Sequence, residues 1–373
     1  MRILVIRWGT LQSLPPAISL IQLLKSLNHH VDVLCNDPRS VFYGSEEPDG
    51  MYDLGSYAKV GAAGHLVSRL SSVLGLRRFL KQHIDDYEIV WTTSDNSAVY
   101  CCDLIPPEKH VMQLSELVEH VPLLGSKGLF ASKAIIKQAQ KAKRVVVPEI
   151  NRAYIQRVYW SLPQVPCVLP NRPRYTSFEE LLDVSKQTHF PSRLAETDKY
   201  TVLYQGVFTP DRNLRPYCEA VQKLGDEYQF CLMGTPNAYS DQLCSEYSNT
   251  FCIGRFEPPA HLLAAQYADL GVLPYSSRGE RVAHLSPLNA IYCAPNKIWE
   301  YAFAGIPMIA NELPGLKMTF DVAGIGLTVP EGDIDAIARA IDAIVRNGSS
   351  FRKRCEAFYA SVDMASIIEG ILS

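Results

Sequence analysis

No stretch of the 373 residues approaches the run of about 18 apolar positions that a membrane-crossing helix needs. No secretory leader is expected either, since Met1 leads straight into the strand-like Arg2-Ile3-Leu4-Val5-Ile6. Charge of one sign is not in excess. With 36 Lys and Arg against 39 Asp and Glu, the net charge is −3, which excludes a nucleic-acid binder driven by phosphate contacts. The ten cysteines follow no metal-ligand rhythm, and Cys101 and Cys102 are adjacent, which fits buried thiols in a reducing compartment rather than a disulfide frame. Glycine is scarce where a dinucleotide would need it: the turn Arg7-Trp8-Gly9-Thr10 has one glycine where the fingerprint wants three, which argues against NAD. A cytoplasmic chain without a cofactor is expected.

What is present is enough apolar sequence, 47% hydrophobic residues, for two cores. Short apolar runs read as buried parallel strands: Arg2–Ile6, Val31–Cys35, Glu88–Thr92, a run opening at His110, and Lys143–Val147. Helical patterns lie between several of them. Gly9 and Thr10 sit in the first turn, where Gly9 lets a loop approach a ligand or simply makes a tight turn. The loops after Thr92 and Met112 carry Asp95, Glu116 and His120, residue types able to take a proton from an acceptor, although each also suits a structural role. Two basic segments, 64–84 (interrupted by Gly75) and 126–144, read as membrane-surface helices or as solvated faces of core helices. Residues 1–175 hold 20 Lys and Arg against 15 Asp and Glu, the remainder 16 against 24, so the front is basic and the back acidic.

The second half restarts with Tyr200-Thr201-Val202-Leu203-Tyr204-Gln205-Gly206, a strand ending in glycine, and Arg212 precedes the next helix. This is a candidate anion site, with a plain surface arginine as the alternative. Further strands are expected at Gln229–Gly234, Phe251–Gly254, Leu270–Tyr275, Ile306–Ala310 and Gly324–Pro330. Arg278, Arg281 and His284 lie in a long loop that could reach a ligand. Asp333 and Asp335 open a helix, so capping explains them better than a metal, and no bound metal is expected.

The most informative stretch is Ala294-Pro295-Asn296-Lys297-Ile298-Trp299-Glu300-Tyr301-Ala302-Phe303-Ala304-Gly305-Ile306-Pro307. Pro295 suits a first helical turn, and Gly305 with Pro307 is a stop signal. A helix between two buried strands is a parallel crossover, with its N-terminus at the edge where open α/β sheets bind ligands. Unpaired N–H groups there suit a phosphate. Lys297 in that turn opposes the helix dipole, which an anion nearby would relieve. Glu300 lies one turn deeper. The two could equally form an exposed ion pair worth a few tenths of a kcal/mol.

That stretch resembles the donor-site helix of group 1 (family 4-like) glycosyltransferases of the GT-B fold, in a subgroup reading Pro-Asn-Lys-x-x-Glu-Tyr. The Asn151–Pro173 run, the Gly206–Arg212 loop and the Ala268–Tyr275 strand are similar to the same family. The resemblance implies that Glu300 binds donor ribose hydroxyls and that the helix start at Asn296 and Lys297 holds the diphosphate. It also implies a phosphate role for Arg212 beside Gly206, and places Tyr275 at the donor loop. Glu116 is similar to an acceptor-side loop residue. The family's second glutamate, eight positions before Glu300, is Tyr292 here, a departure at the donor-sugar contact.

The expected fold class is α/β: two Rossmann-like domains facing an interdomain cleft. Residues 1–175 would bind the acceptor, with a helix at about 351–373 crossing back. Residues 200–350 would bind the nucleotide sugar, and 176–199 would be a linker. The expected activity moves a sugar from a nucleotide-diphosphate sugar to a glycan or lipid-linked acceptor, with retention and without metal, in bacterial-type polysaccharide or glycoconjugate assembly. Peripheral contact with the inner face of the membrane stays open, and no nucleic acid is involved. A sugar-nucleotide epimerase of the same fold and a catalytically inactive GT-B partner subunit are the alternatives.

Overall fold

The computed structural model describes every residue except 39–41, 43–45, 56–61, 122–131, 185–188, 210–211, 278–285 and 287. Arg278, Arg281 and His284 therefore lie outside the described residues. The chain divides into two compact units. The first contains Met1–Arg174, a short piece that includes Ser286 and Asn289, and Asp363–Ser373. The second contains Tyr175–Glu280 and Ala290–Val362.

The first unit is built on strands β1 (Arg2–Arg7), β2 (His30–Cys35), β3 (Gly50–Asp53), β4 (Ile89–Thr92), β5 (His110–Gln113), β6 (Arg144–Val147) and β7 (Cys167–Val168). They form one sheet in the order β3-β2-β1-β4-β5-β6-β7, with every neighbouring pair parallel. A parallel sheet needs cover on both faces, hence the nearly unbroken apolar runs Ile3–Ile6 and Ile89–Trp91. β3 escaped the sequence reading because its four residues are half-exposed and lack an apolar run.

Helix Ala62–His83 runs through Gly75 without the expected interruption. One glycine costs about 1 kcal/mol in a helix, and burial of Leu76 and Leu80 just after it outweighs that. The second basic segment is less helical than expected: among its described residues only Ser132–Ala139 is α-helix, and Arg144 opens β6.

The second unit repeats the scheme with β8 (Tyr200–Gln205), β9 (Tyr228–Met233), β10 (Thr250–Gly254), β11 (Leu270–Leu273), β12 (Met308–Asn311) and β13 (Gly326–Val329). The parallel order is β10-β9-β8-β11-β12-β13. Both sheets thus carry the 3-2-1-4-5-6 order of the doubly wound Rossmann fold. Alternation along β8 divides its residues between two cores, Leu203 with Leu273, Tyr301 and Ala302 on one face, Val202 and Tyr204 with Val272, Ile337 and Ile341 on the other.

Residues 176–199, expected as a linker, belong to this unit. Helices Phe178–Val184 and Ser192–Ala195 place Leu181 and Leu194 in its core. The expected C-terminal helix is two: Gly348–Ala360 lies in the second unit and Met364–Leu372 in the first. All ten cysteines are free thiols, seven of them buried. Among the described residues, no helix is long and apolar enough to cross a membrane.

Candidate functional site

In the second unit the strand order reverses between β8 and β11, and open α/β sheets bind ligands at the C-terminal ends of such strands. β8 ends there in Gln205 and Gly206, and β11 runs out into Pro274 and Tyr275. The helix after β11, Asn296–Phe303, starts at the same edge with Pro295 as its N-cap and no side-chain cap hydrogen bond.

Tyr301 fixes that helix against the sheet. Its ring lies over Gly271 of β11, where an added Cβ would come within 2.5 Å of ring carbons. Its hydroxyl accepts from the Gln205 N–H at 3.2 Å and donates to the Leu203 carbonyl at 3.2 Å. Those bonds hold β8 in register with the helix, so Glu300, next in sequence, faces Gln205.

Glu300 is a buried carboxylate, 6% exposed. Gln205 Nε2 donates to its Oε2, and His261 Nε2 lies 3.5 Å from its Oε1. Burial alone pushes the Glu300 pKa up. The His261 hydrogen bond and charge, with Lys297 and Gln205, more than reverse this and hold it below the usual carboxylate value. The site therefore keeps an ionised acceptor group in a dry place, an arrangement suited to gripping hydroxyls.

A turn nearer the surface, Lys297 Nζ donates to the Tyr275 hydroxyl at 3.2 Å and lies 5.6 Å from the centre of the Tyr204 ring. The Arg212 guanidinium carbon sits 4.1 Å from the centre of the Tyr275 ring. Gly206, at φ +144°, makes room for Lys297: a Cβ there would lie 3.0 Å from both Cε and Nζ. Tyr275 is itself held from behind, since Asn311 Nδ2 donates to its carbonyl at 2.9 Å and Glu331 accepts from Ser276 Oγ. Gly206, Arg212, Tyr275 and Lys297 thus form one basic and aromatic cluster, and Asn296 begins the helix beside them. Two cations over aromatic faces with uncapped helix N–H groups can receive an anion as large as a diphosphate.

Asp333 and Asp335 behave as capping and surface residues: Asp333 accepts from Ala336 N at 2.8 Å, and Asp335 pairs with Lys223. Among the described residues, no group of three or more His, Cys, Asp or Glu stands where it could hold a metal ion.

The first unit gathers its candidates at the equivalent edge. Gly9, at φ +120°, donates its N–H to Asn36 Oδ1 at 2.9 Å, and Thr10 follows as the cap of a short 3-10 turn. Asp95 is not in a loop as expected. It begins the short helix Asp95–Val99, capped by Ser94, and is 4% exposed. The loops after β4 and β5 are joined by the Ser115 hydroxyl donating to the Thr93 carbonyl at 3.0 Å. Glu116 is exposed, with Oε2 3.5 Å from Nη1 of the buried Arg152. Arg152 also donates to the carbonyls of Ser115, at 2.9 Å, and Asn289, at 3.2 Å, and Asn289 Oδ1 accepts from Leu117 N. The described part of the long loop before helix Asn296–Phe303 is thereby fastened beside Glu116. His120 is exposed, 4.0 Å from Glu119.

Two residues central to this geometry escaped the sequence reading, Gln205 and His261. Gln205 closes a strand just before a glycine, and a polar side chain there was the available signal. His261 had none, since it stands in a short helix 39 positions from its partner.

These are two doubly wound α/β units of the GT-B kind, with a basic and aromatic cluster in the second close to the buried Glu300. Residues 199–347 match the family model for glycosyl transferases group 1, so that unit carries a group 1 glycosyltransferase domain. Among solved structures, HepE from Anabaena in complex with UDP is similar at 13% identity, covering 100% of this chain and 98% of its own, with a TM-score of 0.66. Sucrose-phosphate synthase from Thermosynechococcus elongatus is similar at 16% identity over 100% and 95%, with a TM-score of 0.63. WaaG, a glycosyltransferase involved in lipopolysaccharide biosynthesis, is similar at 12% identity over 99% and 98%, with a TM-score of 0.62. At such identities the likeness is one of fold. No curated protein matches this chain in sequence.

Proposed function

We propose that this chain transfers a sugar from a UDP-sugar to a glycan or lipid-linked acceptor, with retention and without a metal ion. The observation that carries the donor side is the buried Glu300, its carboxyl held below the usual range by His261, Lys297 and Gln205, on the same helix as Lys297 of the Lys297–Tyr275–Arg212 cluster. In this reading Glu300 receives the ribose hydroxyls, while Lys297, Arg212 and the start of helix Asn296–Phe303 stabilise the departing diphosphate by position and charge. UDP is favoured because HepE has been solved with UDP and with UDP-glucose. The resemblance to a subgroup reading Pro-Asn-Lys-x-x-Glu-Tyr supports polysaccharide or glycoconjugate assembly as the setting. On the first unit, Glu116, Asp95 and His120 are the candidates to take the acceptor's proton, with Gly9 and Thr10 in the adjoining loop. Glu116 leads because it is exposed and held beside Arg152.

A lipid-linked acceptor is favoured by helix Ala62–His83, which contains no acidic residue. It exposes Leu70, Leu74, Arg78 and Lys81 along one stripe.

The test is a titration of the purified chain with UDP, GDP and ADP and their sugars, following thermal unfolding. UDP at a hundred times its dissociation constant should add about 2.7 kcal/mol, and transfer should survive EDTA. A chain that no nucleotide stabilises would refute the donor site, and activity lost in EDTA and restored by manganese would refute the metal-free mechanism.

A further inference from the structure

Glu300 is approached from two elements distant in sequence. Gln205, at the end of β8, takes Oε2, and His261, in the 3-10 helix Ala260–Tyr267, lies at Oε1. Gln205 is set in the core, and His261, with its side chain 15% exposed, stands on a turn anchored there. Gln205 is 3% exposed, its N–H is fixed by Tyr301, and Leu262, Leu263, Ala264 and Ala265 bury the turn that carries His261. The carboxylate only accepts, so the His261 Nε2 facing it carries a proton, and Gln205 turns its Nε2 rather than its Oε1 toward it. The last torsion of a glutamate is broad and roughly two-fold, so one hydrogen bond would leave the carboxylate plane free to swing. Two donors on different oxygens fix the plane. A carboxylate has about four lone-pair sites, two per oxygen. One site on each oxygen is used inside the protein, which leaves one on each. That remainder matches a vicinal diol.

We infer that His261 is a positioning residue for donor recognition: together with Gln205 it locks the Glu300 carboxylate so that its two remaining acceptor sites meet both hydroxyls of a ribose. His261 does not touch the ligand and acts through Glu300 alone. Its side chain also completes the ionised state, since removing it takes away the hydrogen bond and charge that offset Glu300's burial. The inference rests on the proposed ribose role of Glu300, and predicts selectivity for a ribonucleotide over one lacking its hydroxyls.

The experiment is calorimetric titration with UDP and with 2′,3′-dideoxy-UDP on the unaltered chain, His261→Ala, His261→Gln, Glu300→Ala and the Glu300→Ala/His261→Ala double variant. His261→Ala should weaken UDP roughly tenfold, about 1.4 kcal/mol, and leave the dideoxy compound unchanged. His261→Gln, which keeps an N–H donor at similar reach, should recover part of the loss and serves if the alanine variant folds poorly. In the Glu300→Ala background, His261→Ala should have no further effect. Equal weakening of both nucleotides, or a full additional loss in the double variant, would overturn the inference, because His261 would then act on the pocket as a whole. Loss of UDP affinity in Glu300→Ala with none in either His261 variant would overturn it while leaving the ribose role of Glu300 intact. Unchanged UDP affinity in Glu300→Ala, or no UDP binding by the unaltered chain, would overturn both.

Discussion

Arg212 and Lys297 address the same aromatic ring. The guanidinium carbon of Arg212 lies 4.1 Å from the centre of Tyr275, and the ammonium of Lys297 lies 5.3 Å from it. Attraction to the ring face is worth about 0.5–2 kcal/mol to the Arg212 cation, while Lys297 reaches the same side chain at its hydroxyl, 3.2 Å away, so one tyrosine gathers two like charges.

If both serve a leaving diphosphate, their benefit grows as charge develops on it and appears mainly in turnover. Lys297→Ala and Arg212→Ala should each lower kcat/KM roughly a hundredfold, about 2.7 kcal/mol. Arg212→Lys should recover only part, because lysine lacks the bidentate fork. The double variant should fall short of additivity. Steady-state kinetics decide, and near-normal turnover in the single variants would return both residues to the role of surface charges.

Gly206→Ala tests the same cluster without removing a charge. The φ of +144° and the 3.0 Å approach to Lys297 mean that the new methyl group must strain the backbone and displace the ammonium. We expect a loss of about 1–3 kcal/mol in stability together with weaker UDP binding. Thermal melts with and without UDP separate the two effects. A variant that melts and binds like the original would show that neither the turn nor the lysine is constrained there.

His110 should make the first unit sensitive to acid. Its Nδ1 receives the Gln138 amide at 3.2 Å, so the proton sits on Nε2, 3.0 Å from Thr92 Oγ1. Burial lowers its pKa from 6.5 to about 3. Between those values the unfolded chain binds a proton that the folded one refuses, so His110's contribution is intact above pH 6.5 and declines as pH falls toward 3. The decline is about 1.4 kcal/mol per pH unit. Denaturant titrations at pH 7.5 and 5.5 should show a smaller loss for His110→Gln than for the original chain. Equal losses would mean that His110 protonates without cost.

Helix Ala62–His83 should bring the chain to anionic membranes. Sedimentation with phosphatidylglycerol vesicles is expected, with little on phosphatidylcholine and less as salt rises. Exchanging Leu70 and Leu74 for aspartate should abolish it. Failure on both vesicle types would leave a soluble acceptor or docking through another protein.

Much of the second unit was legible because its signals are local. Pro295, Gly305 and Pro307 bracket a helix of eight residues, and the flanking apolar runs are β11 and β12. Lys297 and Glu300 could be picked out by the resemblance of their stretch to the group 1 family helix, since residues three apart on a helix could equally form an exposed ion pair. The Gln205–Glu300–His261 arrangement was not legible, because three strand and helix ends must first be brought together by the sheet order. Residues 176–199 looked like a linker because their polar majority hid Leu181 and Leu194, whose partners lie far along the chain. Asp95 was misplaced for a related reason: a five-residue helix is too short to show a period, and the Ser94 cap was its one sequence cue.

The first unit draws on three separate stretches of chain, and Ile368, Ile371 and Leu372 are buried in the last of them. Lys143 adds a hydrogen bond to the Ser373 carbonyl at 3.0 Å. During synthesis, therefore, residues 1–174 wait for residues 363–373, with most of the second unit made in the interval. A gene fragment stopping near residue 174 would encode a sheet with apolar surface uncovered, and adding residues 363–373 as a separate peptide should improve its solubility. For this architecture the order of translation and the order of completion are opposed.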